Sequence, residues 1–202
     1  NAATHSQSLE TLFVHFPGLK VVMPSTAEDA AGLLRTAIRE DNPVVFIEHK
    51  ALYARKSEVP DNPEFAIPFG KARVFREGKD VTIIATHTYV HKTMIVAERL
   101  AREGVEAEII DPRTLVPLDI DVLSQSVRKT GRAVVVHEAH RRCGIGAEIA
   151  SQIYETSFRY LDAPIERLGA KACPLPFNLG LENAVVPQEE EIYNAALRTL
   201  YR

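Results

Sequence analysis

The sequence predicts an open α/β fold in which a mostly parallel sheet is covered by helices on both faces. Short apolar runs that suit strands alternate along the chain with amphipathic segments of helical period. Several of these runs are continuously apolar, which is typical of strands buried on both faces. The chain has 202 residues, of which 46% are hydrophobic, so it can build a core without disulfides.

A βαβ unit is predicted near the start of the chain. Its first strand covers 19–23 and ends at Pro24, after which Ser25 or Thr26 offers an N-cap. An apolar stripe of helical spacing supports the helix that follows: Leu33, Leu34, Ala37 and Ile38. The run 44–47 is then expected to form a second strand, parallel to the first and covered on both faces.

The character of the sequence changes between residues 53 and 69. Pro60, Pro63 and Pro68 lie there among charged residues, and this spacing opposes regular structure. We therefore predict a linker over 53–69, which separates one unit over 1–52 from a second unit over 70–202.

The second unit repeats the alternation of strands and helices. Strands are predicted at five runs: 71–76, 81–85, 106–110, 133–136 and 165–168. Helices are predicted at four amphipathic segments: 90–102, 119–128, 146–158 and 188–200. Gly104 is expected to end the first of these helices in the C′ position that favours glycine.

Composition excludes several classes of function. Lys and Arg number 24 against 27 Asp and Glu, a net charge of −3, so we expect no nucleic-acid partner. No apolar run approaches the roughly 20 residues of a membrane span, so we expect no membrane partner. Cys143 and Cys173 are too few for a disulfide framework and are expected to be reduced. The chain begins without Met or a signal sequence, and we expect it to be the later part of a longer protein.

Two polar or glycine-rich segments follow the predicted strand 133–136. His137–Cys143 contains residue types that bind zinc, but the spacing matches no zinc motif and two arginines would repel a cation. The segment is expected to form a turn after the strand, at the sheet edge where open α/β folds bind ligands. Gly144–Gly146 is expected to be a tight turn into a helix, although a small anion could bind at such a helix N-terminus.

His5 lies in a polar string at the start of the chain. Ser6 or Ser8 is expected to cap a helix through Leu9 and Phe13, which would place His5 just ahead of its N-terminus. The positive end of a helix dipole favours a neutral imidazole, which could donate a hydrogen bond or carry a proton. From these residues alone His5 is either a surface histidine, the commoner case, or a proton carrier.

Several strings together resemble the beta chain of the 2-oxo acid dehydrogenase decarboxylase component, a family that includes the pyruvate, branched-chain 2-oxo acid and acetoin dehydrogenase complexes. They run over nearly the whole chain in the family's order: His5–Glu10, His15–Ser25, Ala37–Glu48, Asp111–Asp119, His137–Ala139, Gly144–Ile149 and Asp162–Pro164. One departure is the segment His140–Cys143, where relatives tend to have small or apolar residues.

The resemblance implies a fold and a role. A pyrimidine-binding α/β domain, of which 1–52 would be the last part, precedes a C-terminal domain like that of transketolase. His5 stands where the family has an active-site histidine beside thiamine diphosphate, and an imidazole there can protonate a developing alkoxide or a lipoyl sulfur. The implied partners are an alpha subunit that holds most of the diphosphate and its magnesium, a second beta subunit across a two-fold axis, and a lipoyl-bearing acyltransferase core.

The family also often holds a structural potassium ion. The resemblance places that site at Ala37, Ile38, Glu40 and Asn42, with mostly backbone oxygens as ligands. The family commonly has Asp where this chain has Glu40.

The resulting expectation is a fragment of a thiamine-dependent dehydrogenase beta chain, inactive by itself and serving dimerisation and docking. It would reside in the bacterial cytoplasm or the mitochondrial matrix. The alternatives are a relative of transketolase or deoxyxylulose-phosphate synthase, which are single chains, and a non-catalytic assembly module.

Overall fold

A computed structural model describes residues 2–201 of the chain. Helices and strands alternate through this part, with bounds as follows: α1 Glu10–Val14, β1 Lys20–Val22, α2 Ala27–Arg39, β2 Val44–Phe46, β3 Arg73–Arg76, β4 Val81–Ala85, α3 Thr88–Arg102, β5 Ala107–Asp111, β6 Thr114–Val116, α4 Ile120–Thr130, β7 Ala133–His140, α5 Ile145–Ser157, β8 Glu166–Ala170, α6 Leu179–Val185 and α7 Glu189–Thr199. None of these helices combines the length and the apolar character needed to cross a membrane.

The larger sheet has five strands in the order β3-β5-β4-β7-β8. The last four are parallel to one another, and β3 pairs antiparallel with β5 at one edge. After β4 the chain moves to β5 on one side, and it later returns to β7 on the other side of β4. The sheet therefore has a topological switch point between β4 and β7, the kind of position at which open α/β sheets bind ligands.

The two faces of this sheet bury alternate residues of each strand. On β4, Val81, Ile83 and Ala85 pack with α3 and α7, whereas Ile84 packs with α4 and α5. Thr82 faces α4, where its hydroxyl lies 2.6 Å from that of Ser126. The predicted mostly parallel sheet with helices on both faces is confirmed.

A second, three-stranded sheet has the order β2-β1-β6. Strands β1 and β2 are parallel, as predicted, but β2 is only half-buried rather than covered on both faces. The sequence did not predict β6, which comes after the fifth strand and pairs antiparallel with β1. Val21, Met23 and β6 pack in the same hydrophobic core as α4 and α5. This core joins the small sheet to one face of the large sheet.

The segment 53–69 contains no helix or strand, as the spacing of its prolines predicts, yet part of it is packed. Ile67 is buried against Leu33 of α2. The backbone carbonyls of Phe65 and Ile67 accept hydrogen bonds from Arg35 and Thr36 of the same helix. Helix α2 thus fixes the path of this segment.

Local sequence signals predict the start of α2 and the end of α3 correctly, but not the start of α1. The side chain of Thr26 caps α2 by accepting from the N–H of Asp29 at 3.1 Å, and Gly104 follows α3 at a φ of +77°. The predicted serine cap of α1 is wrong. Leu9 is the N-cap residue, and Ser8 instead donates to the carboxylate of Glu10 at 2.7 Å.

Strand β7 is twice as long as predicted. The sequence places a turn at His137–Cys143, but the strand continues to His140 because its backbone pairs with β8. The polar residues 137–140 are therefore part of the sheet, and the turn is confined to 141–144.

Candidate active site

A cavity of about 570 Å³ lies beyond the carboxyl ends of β2, β4 and β7. One side is formed by the segment 5–9 that precedes α1, and another by the segment 47–51 that follows β2. His87, two residues after β4, and Glu138 of β7 complete it at the switch point of the large sheet. The cavity therefore brings together residues from both sheets.

His5 is exposed and lines this cavity, so its imidazole is accessible to a ligand. The turn that presents it is held by the carbonyl of Ala2, which accepts from the N–H groups of His5 and Ser6 at 3.2 and 3.0 Å. The expected effect of a helix dipole on His5 has no structural basis. Helix α1 has five residues and begins at Glu10, and dipole effects do not extend so far beyond the first turn.

His49 and Glu138 join the two sheets across the cavity. Nε2 of His49 lies 2.7 Å from Oε2 of Glu138, and Nδ1 of His49 accepts from the N–H of Ala51 at 3.2 Å. Burial by itself would raise the pKa of Glu138, but the hydrogen bond from His49 and the neighbouring imidazoles hold that pKa below its usual value. Glu138 is therefore ionised at neutral pH.

His87 packs edge-on against His49, with ring centroids 5.7 Å apart. Its Nε2 lies 2.9 Å from the carbonyl oxygen of Ile47. The side chain is buried, and this burial lowers the pKa of His87 to about 4. The backbone of His87 has a φ of +51°, a strained conformation for any residue other than glycine.

Glu10 is a functional candidate to which the sequence assigns no role, since it occurs there only as the last residue of the family-like string His5–Glu10. It is fully buried, and burial together with the charge of Glu138 raises its pKa, although the hydrogen bond from Ser8 opposes the rise. Its Oε1 has no hydrogen-bond partner among residues 2–201. A glutamate at the start of a helix is commonly exposed, so the sequence gives no signal that Glu10 is buried.

The four residues assigned to potassium lie elsewhere, at the end of α2 and the turn into β2. The carbonyl of Ala37 accepts from the N–H of Glu40, whose carboxylate accepts from the side-chain amide of Asn42 at 2.7 Å. Neither these residues nor Ile38 lines the His5 cavity. The side-chain hydrogen bond from Asn42 lowers the pKa of Glu40.

The segment 137–143 divides between the core and the surface. His137 is buried beneath Gly144 and Gly146, where a Cβ at either glycine would approach its ring within 2.7 Å. Gly144 is the N-cap of α5, which makes this segment the predicted tight turn into a helix. Cys143 and Cys173 are exposed free thiols, and no group of three or more His, Cys, Asp or Glu suited to a metal ion occurs in the described part of the chain.

Comparison with known proteins identifies the family. Residues 70–192 match the C-terminal domain of transketolase, and residues 1–56 match its pyrimidine-binding domain. The chain belongs to the transketolase C-terminal domain family. A split-gene transketolase described as an inactive β4 tetramer shares this fold, with a TM-score of 0.80 and 26% identity over 98% of this chain and 63% of that one.

Beta subunits of an acetoin oxidoreductase and of pyruvate dehydrogenases are homologous to this chain, so the resemblance seen in the sequence is confirmed. The beta subunit of acetoin:2,6-dichlorophenolindophenol oxidoreductase from Cupriavidus necator is 49% identical over 98% of the chain and 59% of its own length. The mitochondrial pyruvate dehydrogenase E1 subunit beta-2 of Oryza sativa is 47% identical over 99% and 54%. The pyruvate dehydrogenase E1 component subunit beta of Rickettsia felis is 44% identical over 99% of the chain and 61% of its own length. The chain thus spans between half and two thirds of these relatives.

Proposed function

We propose that this chain is the C-terminal part of the beta chain of a thiamine-diphosphate-dependent dehydrogenase complex that acts on a 2-oxo acid or acetoin. The observation that carries the proposal is the exposed imidazole of His5 in a cavity shared with His49, His87 and Glu138. The identity of 44–49% to beta subunits of acetoin and pyruvate dehydrogenases supports it.

His5 is assigned the role of proton donor. An exposed imidazole can protonate the oxygen that gains charge when a substrate carbonyl is attacked, or the sulfur of a lipoyl acyl acceptor. When bound, thiamine diphosphate supplies the nucleophilic carbon for attack on that carbonyl and accepts the electron pair that the broken bond releases. His49 and Glu138 fix the segment 47–51 that faces His5.

The cavity suits the reacting end of the cofactor rather than its diphosphate. Three carboxylates line it, those of Glu48, Glu138 and Glu182, against the single ammonium of Lys50. Such a lining would repel a diphosphate, and residues 2–201 offer no cluster of metal-binding side chains for its magnesium. We therefore assign the diphosphate and magnesium to an alpha subunit and to parts of the beta chain outside this one.

The same proposal covers organisation and partners. We assign 1–52 to the end of a pyrimidine-binding domain, 53–69 to a linker and 70–202 to the transketolase-like domain; the matched ranges 1–56 and 70–192 support this division. The partners are an alpha subunit, a second beta subunit and a lipoyl-bearing acyltransferase core, in bacterial cytoplasm or mitochondrial matrix. A structural potassium ion at Ala37, Ile38, Glu40 and Asn42 stays a prediction.

The proposal is tested with the full beta chain coexpressed with its alpha partner. Thiamine-diphosphate-dependent reduction of dichlorophenolindophenol is measured with pyruvate, branched-chain 2-oxo acids and acetoin. We expect turnover with at least one of them, and a loss of about 100-fold or more in His5→Ala, the size of a general acid's contribution. His15→Ala is the matched control, since His15 is also exposed but lies outside the cavity.

The alternatives predict different results. A relative of transketolase or deoxyxylulose-phosphate synthase would turn over none of these three substrates. Dependence on an alpha subunit does not separate it from the proposed function, because the split-gene transketolase is described as inactive as a β4 tetramer. A non-catalytic assembly module would form the complex but turn over none of the substrates. Full dye reduction and lipoyl acylation in His5→Ala would remove His5 from the mechanism.

A further inference from the structure

A second cavity, of about 420 Å³, lies between the start of α2 and the segment 48–57. This Arg55 cavity, lined by residues 24–27, 30, 48–49, 52–53, 55–57 and 91, shares Glu48 and His49 with the His5 cavity. The hydroxyl oxygen of Ser57 accepts from the N–H of Ala27 at 3.2 Å, which ties the end of the segment to the helix. The chemistry assigned to His5 makes no use of this cavity, because His5 does not line it.

Apolar groups make up much of the lining of the Arg55 cavity. Both the helix side and the segment contribute them: Pro24, Ala27, Ala30, Leu52 and the ring of Tyr53. A concave site of this size with an apolar lining and a few charged groups suits a small molecule that has an apolar body. A hydrated inorganic ion buries no apolar surface and gains nothing from this lining.

The charged side chains of the lining carry an excess of positive charge. Arg55 and Lys56 are exposed, and neither has an ion-pair partner within residues 2–201. The carboxylate of Glu48 lies in the same lining, but it already accepts from the hydroxyl of Tyr53 at 3.1 Å. Two cations against one engaged carboxylate favour a ligand with negative charge.

His91 of α3 adds a polar group without adding charge. Its Nε2 lies 2.8 Å from the carbonyl oxygen of Ser25, which fixes the ring against the start of α2. Burial lowers the pKa of His91 and the charge of Arg55 lowers it further, although the contact with Ser25 opposes this. The imidazole is therefore neutral at neutral pH. The influence of Arg55 also shows that the guanidinium lies near His91, on the cavity side of the segment.

We propose that the Arg55 cavity is a binding site for a small organic anion, whose apolar body fills the lining and whose carboxylate pairs with Arg55 and Lys56. This site does not depend on the proposed function. The ligand is an effector, because the cavity shares its wall with the His5 cavity through Glu48 and His49. A ligand that contacts this wall alters the position of His49 and so the affinity of the neighbouring cavity, and such coupling is reciprocal.

The test uses three probes and the assembled complex of full beta and alpha chains, loaded with thiamine diphosphate and magnesium. Benzoate has an apolar body and a carboxylate, benzyl alcohol has the apolar body alone, and acetate has the charge with almost no apolar body. Calorimetric titration should show that benzoate binds at least about fivefold more tightly than either of the others. Equal binding of benzoate and benzyl alcohol, or of benzoate and acetate, would overturn the proposal.

Charge variants show whether benzoate occupies this cavity. Arg55→Gln and Lys56→Gln should each weaken benzoate binding about fivefold and leave benzyl alcohol unaffected. Lys50→Gln is the matched control, because Lys50 is an exposed lysine of the same segment that lines the His5 cavity instead. It should leave benzoate binding unchanged. A loss of equal size in Lys50→Gln, or no loss in the other two variants, would overturn the proposal.

Hydrogen exchange and kinetics test the location and the effector role. Benzoate should slow amide exchange in the segment 48–57 of the wild type, but not in Arg55→Gln. Protection confined to residues 5–9 would place benzoate in the His5 cavity and overturn the proposal. Saturating benzoate should also change the KM of the complex about fivefold or more, and an unchanged KM would overturn the effector role. Absence of turnover with every substrate would contradict the proposed function but not the binding site.

Discussion

Asp29 and Arg113 join two segments that lie 84 residues apart in the sequence. Nη1 of Arg113 is 3.1 Å from Oδ1 of Asp29, a fully buried carboxylate in the first turn of α2. Nε of the same guanidinium donates to the carbonyl of Lys71 at 2.9 Å, just before β3. This arginine therefore holds the small sheet and its helix to the start of the large sheet.

Replacing Arg113 by methionine should destabilise the protein strongly. The variant would leave Asp29 buried with only Arg73, at 3.6 Å, as a cationic partner. Removing one partner of a buried ion pair costs about 3–5 kcal/mol. Equilibrium urea unfolding measures the loss. Asp29→Asn in the Arg113→Met background should recover part of it, and the absence of any coupling in this double-mutant cycle would contradict a direct charge interaction.

Asp111→Asn should stabilise the protein more at pH 8 than at pH 5. Burial raises the pKa of Asp111 to about 7, although contacts with Ser25 and the N–H of Arg113 oppose the rise. Between about pH 4 and 7 the folded state binds a proton that the unfolded state lacks, so this group's stabilising contribution is lost as pH rises through that window. Asparagine mimics the protonated form and avoids this loss.

The difference between Asp111→Asn and wild type isolates this one titration. Urea unfolding at pH 5 and pH 8 should give a gain that is larger at the higher pH by on the order of 2–3 kcal/mol. A gain of equal size at both values would show that the effect is packing or hydrogen bonding rather than ionisation.

Much of the fold could be predicted because its signals are local. The alternation of apolar strands with amphipathic helices predicts the sheet and its two helical layers. The side chain of Thr26 predicts the start of α2, and the backbone preference of Gly104 predicts the end of α3. Strand β6 could not be predicted, because three residues have no periodicity and its partner β1 lies more than 90 residues earlier. The polar end of β7 was taken for a turn because pairing with β8 is not visible locally.

The candidate site was predicted only at one residue. The family resemblance identifies His5. His49, His87 and Glu138 line the same cavity through hydrogen bonds between residues that lie 40 to 89 positions apart in the sequence. Glu138 lies in a family-like string and in a segment predicted at the ligand-binding edge of the sheet, but the sequence assigns it no role of its own. Burial and hydrogen bonding, which give these side chains their chemistry, are consequences of tertiary structure and are not visible in a single sequence.

Gly146→Ala should destabilise the protein because α5 packs directly on a buried ring. A Cβ at Gly146 would lie 2.7 Å from Cδ2 of His137, which is enclosed by the core and cannot move away freely. Overpacking of this kind costs about 1–3 kcal/mol. Gly180→Ala is the control, since its nearest atom is the terminal Oδ1 of Asn178 at 3.2 Å. Equal changes in urea midpoint for the two variants would contradict the packing argument.

Glu10→Gln should stabilise the protein at neutral and alkaline pH. Burial raises the pKa of Glu10, and the charge of Glu138 adds to the rise. The folded state therefore holds a proton above the unfolded pKa of 4.5, and the stability that this proton contributes falls as pH increases through the raised pKa. Glutamine keeps an oxygen to accept from Ser8 and carries no charge, so it removes this dependence.

The measurement is the difference in melting temperature between Glu10→Gln and wild type at pH 5 and pH 8, which should be larger at pH 8. Because the charge of Glu138 contributes to the raised pKa of Glu10, the gain should shrink when the substitution is made in a Glu138→Gln background. A gain that is independent of both pH and Glu138 would contradict a raised pKa and would mean that the substitution acts through packing or hydrogen bonding.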